Sequence, residues 1–458
     1  MTHKKCSAGL IHSCLLFALT LALPASAEWK EKVLYSFQGG TNDGAYPAGG
    51  VVSDQQGNLY GVLQDYGPPS CAPMGNYCGT VFQLTPPVQK GGSWTETLIY
   101  QFQGKGWNDA SLPNGGLIRD AAGNLYGVTA YGGTGDCVLL GVKAGCGTVY
   151  ELSPPTQKGG AWKETILYSF PTTKQGYFPN GDLVFDSAGN LYGATTFGGG
   201  KGTTCDGFYG GNCGAVFEVS PPKTKGGKWT EKVLHSFKGG TDGANPNGGL
   251  ILDSKGAVYG TTAIGGNQIC QNGHGQPVGC GIVFQLHPPA KADGDWTENV
   301  LHRFTDGNDG AGPSSGLTFD SKGALYGTTG GGGSGFNGTV FRLTKTGGGH
   351  WAERILYSFS YENPDDGSGP GGGLTLDDSG DVYGTAGGGG VYNGGVVYRL
   401  KPSGLGKTWS LTVLYAFQRT PDGSGPEARL IPDSTGNFYS TTSGGGTSGN
   451  GTVFEVLP

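Results

Sequence analysis

Eight cysteines follow residue 27 in four local pairs: Cys71 and Cys78, Cys137 and Cys146, Cys205 and Cys213, Cys270 and Cys280. Thiols at such spacings can close disulfides or hold zinc. The gap varies from pair to pair and no two pairs share one short hairpin, unlike the ligand spacing of zinc sites. The even count, together with an export signal at the N-terminus, predicts four local disulfides. Five histidines lie in the same stretch, His235, His274, His287, His302 and His350, and no two share a metal-binding spacing with a carboxylate. No metal or cofactor is expected, and the chain carries neither a Gly-x-Ser-x-Gly elbow nor a phosphate loop. Carboxylates from distant parts of the chain could still meet in space. The remaining chemistry is aromatic. Tyr66, Tyr131 and Phe197 end corresponding strands and Trp107 lies in a nearby loop; such rings on a polar rim can stack on sugars, or can simply cover the cysteine loops.

A second pattern, an Asp followed by a Gly turn and an aromatic residue, recurs seven times. It reads "DQQGNLYGV" from Asp54, "DAAGNLYGV" from Asp120, "DSAGNLYGA" from Asp186 and "DSKGAVYGT" from Asp253. "DSKGALYGT" starts at Asp320, "DDSGDVYGT" at Asp377 and "DSTGNFYST" at Asp433. Calcium would require a denser run of oxygen ligands. An Asp that accepts backbone N–H bonds in a tight turn, with Gly at positive φ, fits better, so the motif reads as scaffold.

The elements that carry these residues repeat as well. Trp29, Trp94, Trp162, Trp229, Trp296, Trp351 and Trp409 open units at intervals of 65, 68, 67, 67, 55 and 58 residues. In each unit four strand-like runs follow, as in "WKETILYSF" (162–170), "GDLVFD" (181–186), "NLYGATT" (190–196) and "GAVFEVS" (214–220). Trp162, Glu164, Ile166, Tyr168 and Phe170 read as one face of a strand of period two. His235 and His302 stand where other units have Tyr35, Tyr168 and Tyr357. Four short strands per unit, repeated seven times, predict an all-β, seven-bladed β-propeller. The last unit is one strand short and residues 29–37 are one strand too many, so the N-terminal strand should complete the last blade and hide two sheet edges. Loops joining strands two to three and loops joining blades then share a face. The cysteines lie on it, as do turns such as Asp43-Gly44 and Asp242-Gly243 that precede Pro47 and Pro246.

Composition bounds the rest. The 458 residues include 93 glycines and 26 prolines, but these recur at fixed places beside aromatic and β-branched residues, so the chain is ordered. Lys4 and Lys5, the apolar run Leu15 to Leu23 and Ala25-Ser26-Ala27 have the layout of a signal peptide over 1–27, leaving 28–458 as one propeller domain. Net charge is −6, and two units more negative without those lysines. No basic tract supports a nucleic-acid partner, and no later run reaches the roughly 20 apolar residues of a membrane span.

The unit "GGLILDSKGAVYGTTAIGG" followed by "CGIVFQL" resembles the GloVer tandem repeat of bacterial choice-of-anchor proteins. That resemblance implies an exported bacterial repeat protein and brings no catalytic residues. Members of the family often end in an anchoring segment; this sequence ends inside a strand, so a free protein, secreted or periplasmic and monomeric, is expected. The functional expectation is a binding module for a glycan or a cell-surface protein, using Tyr66, Trp107, Tyr131 and Phe197 on the cysteine-loop face. An enzyme on the same face, such as a polysaccharide lyase or lactonase, is the alternative, and a structural envelope protein a third. Polar residues outside the repeat pattern and pointing into the central channel would favour the enzyme, and none is evident.

Overall fold

Seven four-stranded antiparallel sheets form a ring, a seven-bladed β-propeller. The computed structural model describes residues 29–67, 78–104, 109–139, 141–171, 176–199, 213–267, 269–271, 275–291, 294–313, 315–404 and 408–458. Blade one runs from its inner strand Ala45–Ser53 through Leu59–Asp65 and Thr80–Thr85 to its outer strand Thr95–Gln101. Blade three has the same order in Tyr177–Phe185, Leu191–Phe197, Ala215–Ser220 and Thr230–Ser236. In blade seven, Ile431–Pro432, Phe438–Thr442 and Thr452–Leu457 are completed by Lys30–Ser36, whose register runs from Lys30 opposite Leu457 to Ser36 opposite Thr452. The N-terminal strand therefore closes the ring. No helix among the described residues is long and apolar enough to cross a membrane.

One detail of the outer strands departs from the sequence expectation. Ile166 pairs with Tyr150 but Tyr168 pairs with Val149, so Leu167 is an extra residue in a β-bulge. The bulge turns Trp162 and Ile166 toward the gap facing Tyr60, whereas Leu167 and Phe170 fill the next gap beside Phe217. The five alternating residues thus serve two blade interfaces rather than one face. The same shift recurs in every blade, for example between Val216 and Phe217 and between Val397 and Tyr398.

Two repeated contacts hold neighbouring blades together, and a third fixes a turn within each blade. Phe170 meets Phe217 edge to face at 5.1 Å, and Phe37 meets Phe82 at 5.2 Å across the closing junction. Such pairs contribute about 0.5–1.5 kcal/mol beyond the area they bury. At the loop face, Asn245 N–H donates to the Cys213 carbonyl at 2.7 Å, and Pro246 packs against Gly214. A Cβ on Gly214 would stand 2.6 Å from Pro246 Cδ, and its φ is +92°, so glycine is required there. At the other end, Asp186 accepts the N–H groups of Ala188 and Asn190 on one oxygen, and the Asn190 amide and Tyr192 hydroxyl on the other. Both oxygens are taken by the chain's own donors, which makes the recurring Asp a turn device.

Candidate functional site

The inner strands do not pair throughout. In blade three the ladder breaks between Asn180 and Val184, and the intervening backbone lines the axis of the ring. The same stretch in each blade follows a proline: "PAGG" from Pro47, "PNGG" from Pro113, "PNGD" from Pro179, "PNGG" from Pro246, "PSSG" from Pro313, "PGGG" from Pro370 and "PEAR" from Pro426. The third residue after the proline is glycine in five blades, which leaves a cavity of about 360 Å³ lined by all seven inner strands. Blade three places Asp182 at that position and blade seven places Arg429. A smaller cavity of about 240 Å³ opens beside Gln64, Asn114 and Glu427. The expectation of no polar side chain outside the repeat pattern in the channel is therefore corrected. Aligning the seven stretches after each proline is the signal that finds Asp182, Glu427 and Arg429.

Asp182 and Arg429 are exposed to the channel but encircled by protein, so their charges lose bulk hydration. Burial pushes the Asp182 carboxyl above its ordinary range, against a 2.6 Å bond from Gly116 N–H and the positive charge of Arg429. Burial likewise lowers the Arg429 guanidinium, and Asp182 opposes that shift. Arg429 Nε reaches Thr375 Oγ1 at 3.5 Å. One level nearer the loop face lie amides: Gln64 Nε2 donates to Asn114 Oδ1 at 3.3 Å, and Asn180 donates to Asn247. This wall offers a cation, two carboxylates and several amides to a ligand rich in hydroxyl groups.

Above the amides, the residue before each inner-strand proline is left-handed: Tyr46 (58°), Leu112 (58°), Phe178 (62°), Asn245 (56°), Gly312 (61°), Gly369 (60°) and Gly425 (66°). Blades five to seven use glycine there, whereas blades one to four hold side chains in a backbone region that costs them roughly 1–2 kcal/mol each. The left-handed turn serves the blade junction, since each of these residues donates its N–H to a carbonyl of the preceding blade, as Phe178 does to Cys146 at 3.1 Å. Phe178 lies 5.4 Å from Tyr131 and 5.9 Å from Phe197, and Tyr177 lies 5.5 Å from Phe197. Two of the four expected aromatics, Tyr131 and Phe197, thus meet through Phe178, which the sequence reading missed along with Tyr177. Tyr66 stands apart on blade one, half-buried with φ of 62° against Gly39. Trp107 lies outside the described residues. Burial raises the Tyr131 and Tyr177 hydroxyls, which keeps both neutral donors.

The cysteine loops flank this rim. Cys137 bonds Cys146 and Cys270 bonds Cys280. Cys78 and Cys213 are disulfide-bonded as well; Cys71 and Cys205, their expected partners, lie outside the described residues. The loops closed by Cys137–Cys146 and Cys270–Cys280 have less entropy to lose when a ligand binds.

Carboxylates from different blades do meet, though on the outer strands. Glu96 lies against Asp43 beneath Tyr35, and Glu31 against Asp422 beneath Tyr415. Burial first, and then the neighbouring carboxylate, holds Glu31 and Glu96 up at about 8. Tyr35 donates to Asp43 at 2.9 Å and Tyr415 to Asp422 at 2.5 Å, so these groups brace the blade junctions. At two junctions a histidine replaces the tyrosine. His235 lies beside Asp242 and Glu298, and His302 beside Asp309 and Glu353. Local spacing hid both trios because each glutamate comes from the following blade.

Fold and site together define a seven-bladed propeller with a polar central channel opening on a disulfide-braced rim. The chain belongs to the Gloeobacter/Verrucomicrobia repeat family, which it matches over residues 16–203 and 269–458. Among solved structures, it is similar to a protein of unknown function from Dyadobacter fermentans at 12% identity and a TM-score of 0.43, over 94% of this chain and 99% of that one. It is also similar to a gluconolactonase from Xanthomonas campestris (14% identity, TM-score 0.40, 91% and 98% covered). A luciferin-regenerating enzyme matches at 12% identity and a TM-score of 0.43, with 76% and 91% covered. Likeness of this degree says nothing about substrate. No curated protein matches the chain significantly.

Proposed function

We propose that the protein is an exported carbohydrate-binding propeller that takes a sugar chain across the rim of blades one to three and seats one sugar unit in the channel mouth. The observation that carries this reading is the departure from the repeat at the channel: Asp182 and Arg429 stand where five blades keep glycine. Paired carboxylate and guanidinium groups suit vicinal hydroxyls, and Tyr131, Tyr177, Phe178 and Phe197 supply faces for stacking. The disulfides fit a protein that works outside the cytoplasm.

The test is calorimetric titration with oligosaccharides chosen from a glycan array. Asp182→Gly with Arg429→Gly restores the residue of the other five blades, so folding should survive. Hydrogen bonds to charged groups contribute about 1.5–3 kcal/mol each, and the double variant should bind roughly 100-fold more weakly or worse. Unchanged affinity overturns the channel assignment. Turnover of pooled polysaccharides or lactones by the parent, lost in Asp182→Gly alone, would instead make the channel an active site.

A further inference from the structure

We propose that His235, Asp242 and Glu298 form one zinc-type metal site, and His302, Asp309 and Glu353 a second. Each would link two consecutive blades, three to four and four to five. In each trio one imidazole nitrogen and two carboxylate oxygens lie within 4.8 Å of one another.

Comparison with the other junctions carries the argument. Where tyrosine occupies the histidine position, its hydroxyl hydrogen closes a bond to the aspartate, as in Tyr35 to Asp43 or Tyr357 to Asp366. At the two histidine junctions the contact to the aspartate is longer, 3.4 Å from His235 to Asp242 and 3.3 Å from His302 to Asp309. His235 Nε2 and His302 Nε2 are buried without a hydrogen-bond partner, whereas the unpartnered Oε1 of Glu298 and Glu353 is shared by Glu31, Glu96, Glu164 and Glu231 at tyrosine junctions. A charged imidazolium bonded to a carboxylate would stand at about 2.7–2.9 Å. The nitrogens instead lie 3.4 Å from Asp242 and 4.0 Å from Glu298, and 3.3 Å from Asp309 and 3.4 Å from Glu353. A tetrahedral ion with bonds of about 2.1 Å separates its ligands by about 3.4 Å. Three of the four separations match that value, and the fourth, His235 to Glu298, is longer at 4.0 Å.

The surroundings orient the ligands. Lys238 N–H holds the far oxygen of Asp242 at 2.7 Å, and the Thr305 hydroxyl holds the far oxygen of Asp309 at the same distance. Phe237 and Phe304 stand edge to face with the two imidazoles at 4.8 and 4.7 Å, which sets the ring planes. The hydrogen bonds to the two aspartates are outer contacts of the kind that orient metal-ligating carboxylates. One nitrogen and two oxygens suit zinc or cobalt, with water as the fourth ligand; calcium would demand six to eight oxygens.

The experiment uses untagged protein freed of metal by chelation and titrated with zinc, then with cobalt as a spectroscopic probe. The parent should bind two equivalents, and His235→Tyr or His302→Tyr should each bind one. The double variant carries the residue of the other five junctions and so should fold, yet bind at least about 100-fold more weakly, the upper end for loss of an outer contact alone. Chelator should lower the melting temperature of the parent and leave that of the double variant unmoved. Absence of binding to the parent overturns the proposal, and so does any equivalent that survives both substitutions.

Discussion

Replacing Phe37 by alanine tests whether the N-terminal strand is an ordinary member of the ring. Phe37 is fully buried, packs edge to face on Phe82 at 5.2 Å, and donates its N–H to the Gly451 carbonyl at 3.1 Å. Phe237 has the same surroundings at an interior junction: it is fully buried, 5.2 Å from Phe284, with its N–H on the Gly214 carbonyl at 3.0 Å. Deleting a buried phenyl costs about 3–5 kcal/mol when the site cannot collapse. A whole domain is stable by only about 5–15 kcal/mol. If Lys30–Ser36 is docked as firmly as any outer strand, Phe37→Ala and Phe237→Ala should lower stability by similar amounts within that range. Denaturant unfolding followed by circular dichroism gives both values against the parent. A strand at a chain terminus can fray at little cost. Phe37→Ala within about 1 kcal/mol of the parent, while Phe237→Ala costs three or more, would show a frayed strand and refute closure as a stabilising element.

Stability should fall as pH rises through neutrality. Folded Glu31 and Glu96 keep their protons up to about 8, whereas the unfolded groups release them near 4.5, so the folded state binds more protons between those values and loses stability across them. Melting temperatures should be lower at about pH 8.5 than at about pH 5, and Glu96→Gln should flatten the slope; a parent that melts higher at the alkaline end contradicts this. Non-reducing peptide mapping should recover Cys137 with Cys146 and Cys270 with Cys280, and any crosslink between blades would break the assignment. Replacing either of these pairs by alanines opens a loop of about ten residues and should cost about 2.5 kcal/mol on the chain-entropy account.

Much of the architecture was legible because it is local and repeated. Period-two runs, a Gly turn every unit and seven tryptophans specify strands and their order, and the strand missing from the last unit told where the first one belongs. The Asp186 turn was readable for the same reason, since its partners Ala188, Asn190 and Tyr192 lie within six residues. The disulfides of Cys137 and Cys270 are equally local. The face of each side chain was less legible, because the bulge at Leu167 reverses the alternation and leaves no mark in the residue pattern. The site was hidden for a stronger reason. Only closure of the ring sets Asp182 of blade three and Arg429 of blade seven on one channel wall, and only blade packing brings Glu298 to His235. The sequence by itself determined the unit, its number and its turns, through contacts between near neighbours. Tertiary structure decided which exceptions to the unit face one another, because a closed ring joins residues that no spacing along the chain relates.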